Sequence, residues 1–420
     1  MGIVIRQSIL SSIFSYLGVM IAYFNLLWLF PKALQQDEIG LLRIVQDIAI
    51  LFVPFAQIGL GQSTVKFFPS FNNQVNRESG FLSFFIFASI ITFSIFLLIV
   101  LLLKPFIIQW FDPAIVDFFH LVLALTFILA LMGIVEAYSR SLLKIVFPNF
   151  VKEVLIRLFT SVIVLLYFIE VFSLTHLLYA LIGTYALALG VLVLYLYLKG
   201  EWHFSFSFKF LNRKSLNKIL QYSLYSMAGS SGIIILGKAD TIMIGSLKGL
   251  SEAGVYSIMI YVAAVIEIPK RAIAQISMPL ISRAFENVDL KEIKLLYRKA
   301  SVNQLIIGLL ILIGIWSSIQ NLFHIMPNGD RYEYGKYVIL IMGLGKLIDM
   351  TAGINGEIII MSKYYKYNMI FIIIIGVFTI VSNYIFINLW GIYGAALASV
   401  LSFFVFNLIK LIFIGIKFKM

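Results

Sequence analysis

The sequence predicts an all-α polytopic membrane protein, with about twelve transmembrane helices in two parallel six-helix repeats that form two lobes around a central cavity. Three observations carry this expectation. Hydrophobic residues make up 61% of the 420 and charged residues only 12%, too few charges to coat a soluble surface. Apolar runs recur along the whole chain, each long enough to cross ~30 Å of hydrocarbon as a helix. A stretch at 238–285 is also echoed in the first half of the chain, at 30–71. A β-barrel would instead need alternating segments of ~10 residues, and none is present.

In chain order, the first run, 8–30, lacks a short apolar core followed by a small-residue cleavage site, so it reads as a retained helix. Further spans are expected at 39–60, 80–103, 118–138, 152–170, 176–198, 218–243, 253–278, 302–324, 335–355, 367–387 and 392–416. With the N-terminus inside, the inward segments hold 20 Lys and Arg residues, among them Arg77, Arg140, Lys144, Lys209, Arg213, Arg283, Lys291 and Lys419. The outward segments hold 5: Lys32, Lys104, Lys248, Arg331 and Lys336. This bias places both termini in the cytoplasm of a multi-pass protein of the cell (inner) membrane. It also accounts for most of the net charge of +12 without a nucleic-acid partner. The predicted organisation is an N-terminal lobe at 1–200, a cytoplasmic linker at 201–217 and a C-terminal lobe at 218–420. Within the inward segment 279–301, Leu290, Ile293, Leu296 and Tyr297 alternate with charges, which predicts an amphipathic connector on the inner surface.

The chain has no Cys, which removes thiol chemistry and Cys-based metal sites. Its four His are scattered outside any metal-ligand spacing, so no metal is expected. No GxxxxGK[ST] loop is present to use ATP, and no cofactor is expected.

The repeat is carried by matched letters. Glu38-Ile39-Gly40-Leu41-Leu42 aligns with Glu252-Ala253-Gly254-Val255-Tyr256, Pro54 with Pro269, and the exit prolines Pro69 with Pro279. Pro54 and Pro269 would each remove a helix hydrogen bond and bend a span, and they are the candidate hinges. Charges at membrane depth mark the candidate site, because each costs several kcal/mol unless paired or hydrated. Asp47 lies about 12 Å into its span, one turn after Arg43. Glu267 precedes Lys270 and Arg271 at the spacing of one helix face, and Lys346 and Asp349 are likewise one turn apart. Lys238 and Asp240 point to different faces near the outer end of their span, a rim position. Glu136 and Arg140 lie near the inner interface. Two readings stand side by side: the mixed signs neutralise one another and pin helices together, or they line a hydrated cavity. In the second, Arg43, Lys270, Arg271 and Lys346 are headgroup-binding cations and Asp47, Glu267 and Asp349 are coupling or cavity carboxylates.

The stretch ADTIMIGSLKGLSEAGVYSIMIYVAAVIEIPKRAIAQISMPLIS resembles the start of the second lobe in the polysaccharide and O-antigen (oligosaccharide) flippases of the multidrug/oligosaccharidyl-lipid/polysaccharide (MOP) exporter superfamily. FPKALQQDEIGLLRIVQDIAILFVPFAQIGLGQSTVKFFPSF resembles its first-lobe counterpart. The resemblance implies two six-helix lobes that open alternately to either side. It implies translocation of a polyprenyl-pyrophosphate-linked oligosaccharide for surface polysaccharide or lipopolysaccharide biosynthesis. Coupling would be to H+ or Na+, the surroundings membrane lipid, and the partners a polysaccharide polymerase and glycosyltransferases. The alternatives are a cation-coupled multidrug exporter of the same superfamily and a membrane polymerase or ligase. A polymerase or ligase needs an outward acid/base constellation, which the short outward loops do not offer, so no enzyme activity is expected.

Overall fold

The computed structural model describes residues 2–72, 80–202, 205, 211–287 and 289–418. The expected linker at 201–217 lies partly outside these residues, as do Arg77, Lys209 and Lys419 of the basic segments. Among the described residues the chain is helical and contains no strand. It forms two compact units, Met1–Ser231 and Gly232–Met420.

In the first unit, α1 (Gly2–Phe24) runs on through a π-helical turn at Asn25–Leu29 and one more helical turn at Phe30–Ala33. The extended Leu34 and Gln35 then lead into α2 (Gln36–Ala56). A reciprocal cap starts α2. The Gln35 backbone N–H donates to Glu38 Oε2 at 2.8 Å, and the Gln35 side chain accepts from the Glu38 backbone. Next come α3 (Leu60–Asn72), α4 (Phe81–Ile107), α5 (Phe119–Ser141), α6 (Ile156–Phe168) and α7 (Leu174–Leu198). Burial divides these helices. Ile39, Ile44, Val45, Ile48 and Ala49 of α2 are shut away from the surface, whereas Ile91, Ile95, Leu98 and Leu102 of α4 are exposed. A helix that is apolar all round and exposed on one stripe is suited to face lipid. The span expected at 152–170 is not one regular helix, because a π turn at Val151–Leu155 precedes α6. There Gly18 of α1 lies so close to the Glu153 backbone that a Cβ would not fit.

Helix α8 (Arg213–Leu247) supplies residues to both units. The second unit continues with α9 (Leu250–Ala264), entered through Gly249 at φ +98°, a conformation that favours glycine. A 3₁₀ turn at Val265–Glu267 joins it to α10 (Ile268–Glu286). Then follow α11 (Leu290–Ser317), capped by Asp289 accepting from the Glu292 N–H at 2.9 Å, α12 (Lys336–Thr351), α13 (Asn355–Met361) and α14 (Tyr365–Phe418). At 54 residues α14 would be about 80 Å long, more than twice the hydrocarbon thickness. It is interrupted at Gly391 (φ +58°, ψ −133°), between the spans expected at 367–387 and 392–416.

Nine helices among the described residues are long and apolar enough to cross a membrane, and α12 with α13, bent by 45°, makes a tenth. The all-helical, two-unit architecture agrees with the sequence; three details differ. The amphipathic stretch after Pro279 is no separate surface connector. Its second half opens α11, where buried Ile293 and Ala300 pack with Ile281, Ile354 and Ile358, with Leu296 and Tyr297 partly buried against them and Leu290 exposed. Pro69 and Pro279 do not end their helices, which continue to Asn72 and Glu286 at the cost of one missing backbone bond each. The span expected at 302–324 stops at Ser317, and a short helix, Ile319–Ile325, follows.

Candidate functional site

The repeated letters mark a repeated backbone. Helix α2 begins at Gln36 and α9 at Leu250, the same spacing as Glu38 to Glu252 and Gly40 to Gly254. Both helices then break. After α2 come Ile58 (φ +49°) and Gly59 (φ +69°) before α3; after α9 comes the 3₁₀ turn before α10. Pro54 sits in the last turn of α2, just ahead of its break, and Pro269 in the first turn of α10, just behind the other. In a first turn the missing proline N–H costs nothing, since that donor has no partner inside the helix. Both candidate hinge prolines therefore lie at real interruptions.

The charges beside the second interruption pair across helices. Lys346 Nζ of α12 donates to Glu267 Oε2 at 2.6 Å, and Lys270 Nζ of α10 makes an ion pair with Asp349 Oδ2 of α12. The sequence suggested pairing within each helix, Glu267 with Lys270 and Arg271, and Lys346 with Asp349. Of these the Glu267–Arg271 pair forms, at 3.8 Å; the others give way to the cross-helix pairs, and for Glu267 with Lys270 the 3₁₀ turn is the reason. Glu267 belongs to that turn and Lys270 to the next helix, so the α-helical i,i+3 relation that would put them together does not apply. Both cross-helix pairs span the same sequence separation, 79 residues, so the two segments run parallel in register as a two-rung ladder. All four side chains are largely buried. Removing one member of such a pair leaves an uncompensated charge, at about 3–5 kcal/mol. Arg271 is different: its side chain is 71% exposed and its Nε is 3.8 Å from Glu267 Oε1.

Helix α14 closes the ladder from a third direction. Its residues Phe403, Phe406, Asn407 and Lys410 recur at helical spacing on one face. Lys346 Nζ lies 4.6 Å from the Phe403 ring centre. Asn407 Nδ2 donates to Asp349 Oδ1 at 2.9 Å, and Asn355 Nδ2 of α13 donates to Asn407 Oδ1 at 2.9 Å. Lys410 is 8% exposed and stands 3.5 Å over the Phe406 ring centre; Asp349 and Glu357 are the carboxylates whose fields reach it. Gly345 permits the approach, since a Cβ there would lie 2.7 Å from Val400 Cγ2. Sequence reading passed over Asn355, Asn407 and Lys410. Polar letters inside apolar spans were their only signal, and Lys410 stands near enough to a span end to read as a snorkelling lysine. Lys270, Arg271, Lys346 and Lys410 face Glu267, Asp349 and Glu357, four cations to three carboxylates. The cluster is thus nearly neutralised, with a small cationic surplus.

The remaining candidates sit elsewhere. Asp47 on α2 is 4% exposed, and Arg43, one turn earlier, is half-buried with its guanidinium carbon 6.0 Å from the Phe30 ring centre. Lys238 is half-buried. Asp240 does not occupy the rim position expected for it. It is 5% exposed and accepts from Tyr256 Oη at 2.7 Å, Ser399 Oγ at 3.2 Å and the Thr241 N–H at 2.9 Å, tying α8 to α9 and α14. Glu136 pairs with Lys152 at 3.7 Å. Among the described residues no group of three or more His, Asp or Glu side chains is arranged to hold a metal.

The sequence pattern of the polysaccharide biosynthesis protein family matches residues 5–285. An uncharacterized membrane protein of Methanocaldococcus jannaschii is 22% identical over 410 residues, covering 92% of this chain and 79% of that protein. Among solved structures, an inward-facing multidrug resistance MATE family transporter of the MOP superfamily superposes with a TM-score of 0.76 at 14% identity, covering 97% of this chain and 94% of its own. The lipid II flippase MurJ in an inward closed conformation gives 0.76 at 15% identity, covering 97% and 87%. A MOP superfamily transporter from Pyrococcus furiosus gives 0.63 at 12% identity, covering 99% and 95%. At these identities the likeness is one of fold.

Proposed function

The chain belongs to the polysaccharide biosynthesis protein family, and from that membership we propose that it flips a polyprenyl-pyrophosphate-linked oligosaccharide across the cytoplasmic membrane for surface polysaccharide assembly. The observation that carries the reading is the family match over residues 5–285. The site agrees with it: a buried, charge-balanced polar ladder in otherwise apolar spans, with the exposed Arg271 beside it. A pyrophosphate is drawn to an exposed guanidinium, and its sugar hydroxyls need polar partners at membrane depth. In this reading Arg43 and Arg271 are the headgroup cations, while Lys270 and Lys346 chiefly hold Asp349 and Glu267 in place. Asp47 is the coupling carboxylate for H+ or Na+, and transport proceeds by alternating access with both termini in the cytoplasm. A polymerase and glycosyltransferases would consume and supply the substrate.

The same fold also serves a multidrug resistance transporter. A cationic drug would require free carboxylates, and Glu267 and Asp349 each already hold a lysine. That favours an anionic cargo. The test is reconstitution in vesicles containing a fluorescent polyprenyl-pyrophosphate oligosaccharide. The expected result is protein-dependent exposure of inner-leaflet label to a membrane-impermeant quencher. Failure to flip this substrate, together with efflux of cationic dyes, would reverse the assignment.

A further inference from the structure

A cleft of about 350 Å³ opens in the first unit between the start of α4 and the start of α8. Its walls are apolar, built from Phe84, Phe87, Ala88 and Ile91 on α4 and Leu216 on α8. Its polar end is different: Asn212 and Arg213 line it there. Asn212 caps α8 by accepting the Ser215 N–H at 2.7 Å, which leaves the arginine as the charged group of the lining.

Three features define the occupant. The first is continuity with exposed hydrocarbon-like surface. From Ile91 an exposed stripe continues along α4 through Ile95, Leu98 and Leu102, at the spacing of one helix face. From Leu216 a second continues along α8 through Leu220 and Leu224. The cleft therefore adjoins, on each helix, exposed apolar surface suited to lipid. The second feature is charge. Arg213, Lys214 and Lys218 are all exposed at the start of α8, whose first turn carries no acidic residue. Among the described residues no carboxylate pairs with any of the three. Cations at a helix N-terminus are opposed by the helix dipole, and an anion held there is favoured by both. The third is length: the apolar wall extends away from Arg213, so a charged head at the arginine leaves a chain pointing along the two stripes.

We propose that this cleft is a binding site for an anionic phospholipid of the surrounding membrane, with its phosphodiester at Arg213 and one acyl chain against Phe84, Phe87, Ala88 and Ile91. The occupant is taken as a resident lipid because the apolar walls adjoin exposed apolar surface on both helices, and the transported lipid is the alternative that the test below separates. The site shares no residue with the ladder at Glu267 and Asp349, and it stands whether or not the proposed cargo is correct.

The test is lipid titration of the full-length chain in detergent, read by native mass spectrometry, with phosphatidylglycerol and phosphatidylcholine as probes. Phosphatidylglycerol should be retained more tightly, and Arg213→Gln should cut its affinity about fivefold while leaving phosphatidylcholine unchanged. Ala88→Trp should fill the cleft and lower retention of phosphatidylglycerol with Arg213 intact. Equal retention of the two lipids by the unsubstituted chain would overturn the proposal. So would an unaltered affinity in Arg213→Gln, a variant at an exposed position that is expected to fold. Displacement of phosphatidylglycerol by equimolar polyprenyl phosphate would overturn it in favour of the transported lipid.

Discussion

The two prolines of the repeat sit beside helix breaks, Pro54 just before one and Pro269 just after the other, in very different chemistry. Pro269 is flanked by Glu267, Lys270 and Arg271, whereas Pro54 is flanked by Phe52, Phe55 and Ala56. The backbone of the repeat is kept in both units: α2 and α9 start at the same spacing, and each is interrupted before its partner helix. The charges are not kept. In the first unit they lie earlier on the helix, at Arg43 and Asp47; in the second they lie at the break and are clamped to α12. The interruption therefore does not depend on the ion pairs. In the first unit a proline and the left-handed pair Ile58-Gly59 suffice to make it, and the ladder is an addition particular to the second unit.

The largest effect should come from dismantling the ladder. Asp349→Ala leaves Lys270 buried without its carboxylate and strips Asn407 of its acceptor, at about 3–5 kcal/mol. The purified protein should melt roughly 10 °C lower in a thermal denaturation series. The double variant Lys270→Met/Asp349→Leu should recover most of that loss, because a well-packed apolar pair replaces an ion pair at little cost. If the double variant is as unstable as the single one, the pair is not what stabilises this region. Exchanging the charges of the other rung is a sharper check. Glu267→Lys alone would oppose Lys346, while Glu267→Lys/Lys346→Glu should return to within about 1 kcal/mol of the unsubstituted chain. A charge swap can rescue only if the two groups meet as the structure has them.

An intermediate effect is expected at Asp240. Asp240→Asn keeps the shape but weakens the acceptor for Tyr256 and Ser399, at about 1–3 kcal/mol. Tyr256→Phe should lose somewhat less, since Ser399 keeps its acceptor, and the two losses should not fully add, because both act on the Tyr256–Asp240 hydrogen bond. Additive losses would separate the residues.

The helices and their repeat were legible in the sequence because apolar run length, Gly and Pro are local signals. So were the members of the ladder: Glu267, Lys270, Lys346 and Asp349 were all marked by charge at membrane depth, and the structure pairs these four. Their partners were not legible. Helical spacing put Arg271 beside Glu267, at 3.8 Å, but it says nothing of a neighbouring helix, and Lys346 and Asp349, one turn apart on α12, pair across to Glu267 and Lys270 instead. Asp240 was misplaced for a related reason. Depth along a span does not say whether a side chain faces outward or towards Tyr256 on the next helix. Asn355 and Asn407 became visible only once α13 and α14 met.

The smallest effect on stability, and the most informative for function, should be at Arg271. It is mostly exposed and 3.8 Å from its carboxylate, which also holds Lys346 at 2.6 Å. An exposed pair of this kind contributes about 0–1 kcal/mol, so Arg271→Gln should melt within about 2 °C of the unsubstituted chain. A cation that meets the headgroup would act elsewhere, in transport. Losing one charged hydrogen bond to a phosphate should lower flipping of the labelled oligosaccharide lipid about tenfold. Arg43→Gln, on the matched helix of the first unit, is the companion measurement, and the same fall is expected if both arginines meet the cargo. Normal flipping in both variants at normal abundance would remove these arginines from the site. A large loss of stability in Arg271→Gln would show instead that it belongs to the ladder, and the division drawn here between structural lysines and a functional arginine would not hold.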